Sequence, residues 1–96
     1  MSPKNKKKLN IIRVKLDKLD NKLLSLIKNR TGLVKKVLKL KEFKKEIVDK
    51  KRIDFILKKI EGKSKKLNID PKITNRIWKN MIWSYIDYER RNFKKK

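Results

Sequence analysis

The chain has no cysteine and no histidine among its 96 residues. Without cysteine there is no disulfide, no thiol nucleophile and no thiolate metal site. Without histidine the commonest transition-metal ligand and the commonest general base are both missing. Acidic residues number 10 against 32 lysines and arginines, and they show no dense calcium-loop spacing. A metal enzyme is therefore not expected. No secretory apolar region and no apolar run near 18 residues occurs, which excludes a membrane helix and makes a soluble, cytoplasmic protein the expectation.

What the chain has in excess is positive charge, a formal +22. Such a balance ordinarily points to nucleic acid or an anionic membrane. Here 26 of the 32 cations are lysine, spread over every segment, while alanine and glutamine are absent as well. That skew resembles an AT-rich coding bias as much as selection for a basic surface, so neither partner is expected. In such a background the six arginines carry more information. A guanidinium is a planar fork that binds a carboxylate through two parallel hydrogen bonds, which an ammonium cannot do.

Residues 9–41 follow a heptad repeat. The first core position falls on Leu9, Leu16, Leu23, Arg30 and Val37, the second on Ile12, Leu19, Leu26, Leu33 and Leu40. Nine of the ten are aliphatic, the mark of a long helix packed on other helices. Arg30 is the exception. A cation in such a seam is costly unless an anion meets it; setting register and snorkelling out to water are the alternative roles. A helix over these residues is roughly 50 Å long, whereas a compact chain of this size has a radius of gyration near 12 Å. The seam therefore calls for a partner, most simply a second copy of the chain.

The rest reads as two shorter helices in one all-α domain. Residues 1–8 are expected to be a disordered basic tail, 9–93 a single helical domain and 94–96 a frayed end. Gly32, after Thr31, is the weak point of the first helix. Residues 42–48 break the repeat as a loop. Asp49 is an N-cap for a second helix over about 50–66, whose apolar side is Ile53, Ile56, Leu57 and Ile60. Residues 67–69 connect to Asp70-Pro71, a cap followed by proline at the first helical position. The third helix runs to about Asn92, with a stripe of Ile73, Ile77, Met81, Ile82, Tyr85 and Ile86.

The candidate chemistry sits on three faces. Arg30, Val34, Val37 and Lys41 are spaced over 11 residues, about three turns, and share one side of the first helix. Arg13 points about 100° away and serves a different neighbour. Arg52 lies in the first turn of the second helix, and Trp78, Ile82, Tyr85 and Glu89 line one face of the third. Cations around an aliphatic floor, with one carboxyl, suit a small apolar dianion.

The pattern Ile12-Arg13, Leu19-Asp20, Leu23-Leu24, Arg30, Leu33-Val34, Val37, Lys41, Asp49, Arg52, Leu67, Asp70, Ile77-Trp78, Ile82 and Glu89 resembles the all-α chorismate mutase family across about residues 9–90. The resemblance implies three helices intertwined with a second chain into a homodimer. It also implies a shared site in which Arg30, Lys41, Arg52 and Glu89 of one subunit meet Arg13 of the other. Val34, Val37, Asp49 and Ile53 would bind the substrate, chorismate, together with Ile56, Ile82, Tyr85 and Ile86. The family's reaction, chorismate to prephenate, needs no cofactor or metal. Ile53 stands where many mutases carry Glu, Tyr85 where some carry Ser, and the 41–52 loop is one residue shorter than in some. These three features resemble the sister branch, the isochorismate pyruvate lyases, which would use the same cationic pocket. A basic helical nucleic-acid binder is the non-enzymatic alternative.

Overall fold

Ser2 and Pro3 begin a helix well ahead of the expected start at Leu9. The Ser2 hydroxyl accepts the Asn5 backbone N–H at 3.2 Å, a capping bond, and Pro3 occupies the first helical position, where its missing N–H costs nothing. In this computed structural model, which describes residues 1–94, three helices follow in order. They are α1 (Pro3–Leu40), α2 (Lys50–Lys66) and α3 (Pro71–Asn92), with a 3-10 turn at Lys44–Glu46. The described residues contain no strand, so the fold is all-α as expected. Residues 3–8 are helical rather than an irregular tail, because the cap and proline outweigh the repulsion among good helix-forming lysines. At the other end Phe93 and Lys94 lie beyond α3; Lys95 and Lys96, expected to fray, fall outside the described residues.

The chain divides into two units, residues 1–33 and the residues from Val34 onward. The first is the N-terminal part of α1. No residue of α1 is buried, and Leu16, Leu19, Leu23 and Leu26 are each more than half exposed. Thr31 and Gly32 do not interrupt the helix. The Thr31 hydroxyl donates to the Ile27 carbonyl at 2.8 Å, and a Cβ placed on Gly32 would meet no heavy atom from elsewhere in the chain within 4 Å.

The second unit holds the core, where α2 packs on α3. Both helices start at the predicted caps: Asp49 accepts from the Arg52 N–H at 3.0 Å and Asp70 from the Lys72 N–H at 2.9 Å. Ile47, Ile82 and Ile86 are the buried centre, with Val48, Ile53, Ile56, Leu57 and Phe93 packed around them. Burying side chains of this size contributes about 1.5–3 kcal/mol each. A polar link joins the far end of the pair. The Ser64 and Thr74 hydroxyls are 2.7 Å apart, and Ser64 also donates to the Ile60 carbonyl at 2.6 Å. Between the helices Asn68 takes a left-handed φ of 56°, a conformation that asparagine tolerates better than most residues. This lets the Ile69 N–H reach back to the Ser64 carbonyl at 2.9 Å.

The buried face of α3 is Thr74, Ile82, Ile86 and Glu89. The stripe expected on this helix is therefore rotated in part, since Ile73 and Ile77 are both more than half exposed.

Candidate active site

Lys41 stands one residue past the end of α1, and its N–H makes a last helical bond to the Leu38 carbonyl at 3.2 Å. Its ammonium reaches across to α3 and donates to Glu89 Oε2 at 2.7 Å. The two side chains are only 18% and 9% exposed. Glu89 is there because it falls three residues after Ile86 and seven after Ile82, on the helix face that these isoleucines turn inward. A charge-assisted hydrogen bond of this length, largely shielded from water, is of the stronger kind. The other ion pairs described, Lys65 with Glu61 and Arg91 with Asp87, join residues one turn apart on exposed helix surface and contribute little.

Arg52 is set by the start of α2. The Asp49 carboxylate takes its backbone N–H, which fixes the first turn and leaves the guanidinium on the surface, its Cζ 5.4 Å from the centroid of the Phe55 ring. Lys59 lies 5.8 Å from the same centroid. Such contacts are worth roughly 0.5–1 kcal/mol at exposed sites.

The remaining expected residues divide between the units. Arg13, exposed, and Arg30, half-buried, belong to the first unit. In the second, Ile82 and Ile86 are core residues, Ile53 and Ile56 pack against them, and Val34 and Tyr85 are half-buried while Val37 is exposed. Lys41 and Glu89 are thus brought into direct contact, with Asp49 and Arg52 joined at the head of α2. A shallow cleft beside Lys41 is lined by Lys45, Glu46, Val48, Asp49, Lys50 and Lys51. A second, more apolar groove, between Lys35, Leu38 and Lys39 and the end of α3 at Tyr88, Asn92 and Phe93, contains none of the expected site residues.

Two residues near the site escape a pattern-based reading. Ile47 is the most buried apolar residue at 4% exposure, yet it sits in a charged loop with no periodicity around it. Glu46 accepts the backbone N–H groups of Glu42 and Phe43 at 2.7 and 2.8 Å. The available signal is an acidic residue at the third position of a short helical turn, half of a capping box. The reciprocal half is impossible, because the Phe43 side chain has no acceptor. The two backbone bonds, followed by the charges of Lys41 and Lys45, hold the Glu46 carboxyl below the usual glutamate value.

An all-α chain with a shielded ammonium–carboxylate pair and an arginine-headed second helix defines the class. The model of the family Chorismate mutase type II matches residues 12–90, most of the chain, and the protein belongs to this family of isomerase-type enzymes. No curated protein and no solved structure gives a match. No helix among the described residues is long and apolar enough to cross a membrane.

Proposed function

We propose that the protein is a chorismate mutase, converting chorismate to prephenate by an intramolecular [3,3] rearrangement in aromatic amino acid biosynthesis in the cytoplasm. The observation that carries this reading is the Lys41–Glu89 contact at 2.7 Å in a chain matched to the family over residues 12–90. The substrate is a flexible dianion that must be held in a compact conformer. Arg13 and Arg30 clamp one carboxylate and Arg52 binds near the other, which lowers the entropic part of the barrier. As the C–O bond breaks, negative charge grows on the ether oxygen. Lys41 donates a hydrogen bond there, and Glu89 joins it as a donor once its carboxylate has taken up a proton from solvent; preorganised donors favour the transition state over the ground state. To do so they exchange part of their mutual contact for the substrate. Val34, Val37, Ile56, Ile82 and Ile86 shield the ring from water, with Asp49, Ile53 and Tyr85 at the edge of the pocket.

The active form in this reading is an intertwined homodimer whose single helical domain spans residues 9–93, with Arg13 supplied by the partner subunit. The exposed leucine seam of α1 supports a second copy as the covering partner, since apolar surface of that extent is rarely left in water. Ile53 and Tyr85 favour one competing reading, isochorismate pyruvate lyase, in which the same pocket releases pyruvate and leaves salicylate. Incubating the purified protein with chorismate and with isochorismate separates the two. Prephenate from chorismate is the expected result. Salicylate and pyruvate from isochorismate, with chorismate untouched, overturns it.

A further inference from the structure

Lys41 hangs from the end of a helix, where the chain is normally free to leave along several paths. Two contacts remove that freedom. Ile47 is buried in one cluster with Ile82 and Ile86, which ties the 3-10 turn to the stretch of α3 just before Glu89. One residue earlier, Glu46 Oε2 accepts the N–H groups of Glu42 at 2.7 Å and Phe43 at 2.8 Å, the two amides that directly follow Lys41. The path from Glu89 back to Lys41 therefore runs through α3, Ile47, the Glu46 carboxylate and the 42–43 backbone. We propose that Glu46 is a positioning residue for Lys41, clamping the end of α1 so that the ammonium is aimed at Glu89 and at the reacting substrate.

This inference rests on the reading that Lys41 acts on the substrate. Glu46 itself is exposed and acts through the two amides, not on the substrate. A single oxygen accepts both bonds, so the carbonyl oxygen of a glutamine suffices, whereas aspartate is one methylene too short and alanine has no acceptor.

The test is steady-state kinetics with chorismate on the full chain, with the melting temperature of each variant recorded so that rates are per folded enzyme. Glu46→Ala and Glu46→Asp are expected to lower kcat about tenfold with KM nearly unchanged, since small misplacement of a catalytic group is costly. Glu46→Gln is expected to stay within about threefold of wild type. In a Lys41→Ala background, Glu46→Ala should bring no further loss, because the two act as a unit. Wild-type kcat in Glu46→Asp, a loss in Glu46→Gln equal to that in Glu46→Ala, or additive losses in the double variant overturns the proposal while leaving Lys41 in the site. Full activity of Lys41→Ala alone overturns the reading of the site, and the positioning role with it.

Discussion

Lys41 and Glu89 are 48 positions apart in the chain and 2.7 Å apart in the fold, each largely withdrawn from water. Such a pair is poor value for stability, because desolvation offsets most of the attraction, but removing one member leaves the other charge shielded and alone. Lys41→Ala is expected to lower stability by about 1–3 kcal/mol, which for a chain of this size is a fall in melting temperature of several degrees. Adding Glu89→Leu should recover most of that loss and none of the activity. A Lys41→Ala protein as stable as wild type contradicts the ion pair described here.

The exposed seam of α1 leads to a second expectation. Leu16, Leu19, Leu23, Leu26 and Leu33 are more than half accessible in the single chain, and no residue of α1 is buried. In the homodimer reading the folded chain and the dimer are one thermodynamic species. Sedimentation at micromolar concentration should show a dimer, and dilution should lower the melting temperature. A folded monomer at that concentration refutes it.

Arg13 and Arg30 test the sharing of the site. If Arg13 of one subunit completes the site that contains Arg30 of the other, Arg13→Ala and Arg30→Ala should each be nearly inactive. Refolded together, their heterodimer has one site in which both arginines are intact, and activity should return. Verified heterodimers without activity remove Arg13 from the partner's site.

Much of the architecture was legible in the chain, and the reasons are local. Asp49 and Asp70-Pro71 mark helix starts by a mechanism that needs no tertiary context, a carboxylate accepting a first-turn N–H. Ser2-Pro3 carries the same signal, but the run of lysines after it has the composition of a tail and conceals the helix. Glu89 could be assigned to the Trp78–Ile82–Tyr85 face by period alone, and that is the face buried in the fold. Ile47 could not be found, because a lone isoleucine in a charged loop has no period; only its burial with Ile82 and Ile86 gives it a role. Nor could the approach of Arg52 to Phe55, since a spacing of three residues permits a contact without requiring it. The seam of α1 was legible as a pattern, and in the single chain its leucines are exposed along a helix with no buried residue.

Glu46 gives a pH prediction with a definite sign. Its backbone bonds hold the carboxyl below the usual glutamate value, so the folded state binds this proton less readily than the unfolded one. The stabilising effect is therefore fully present above the unfolded value, about 4.3, and is lost as pH falls through the lower folded value. Protection of the Glu42 and Phe43 amides, taken relative to the intrinsic exchange rate at each pH, should be present at neutral pH and should fall on acidification before that of the core around Ile82 and Ile86 does. In Glu46→Gln the acid-induced step at these two amides should vanish. Protection at Glu42 and Phe43 that keeps pace with that of the core down to acid unfolding contradicts the clamp.

Glu89→Gln tests the chemistry most directly. Lys41 needs an acceptor at 2.7 Å, and the amide oxygen of glutamine supplies one. The ether oxygen of the substrate needs a donor, and the amide nitrogen supplies one at every pH. A carboxyl donates only when it holds a proton, and as a carboxylate it repels the charge that develops on that oxygen. The variant has no such requirement, so its activity near neutrality should equal or exceed that of wild type. Glu89→Ala, which removes both the acceptor for Lys41 and the donor for the substrate, should lose about 10²-fold or more in kcat. An inactive Glu89→Gln removes Glu89 from the donor role and leaves it as the partner that holds Lys41.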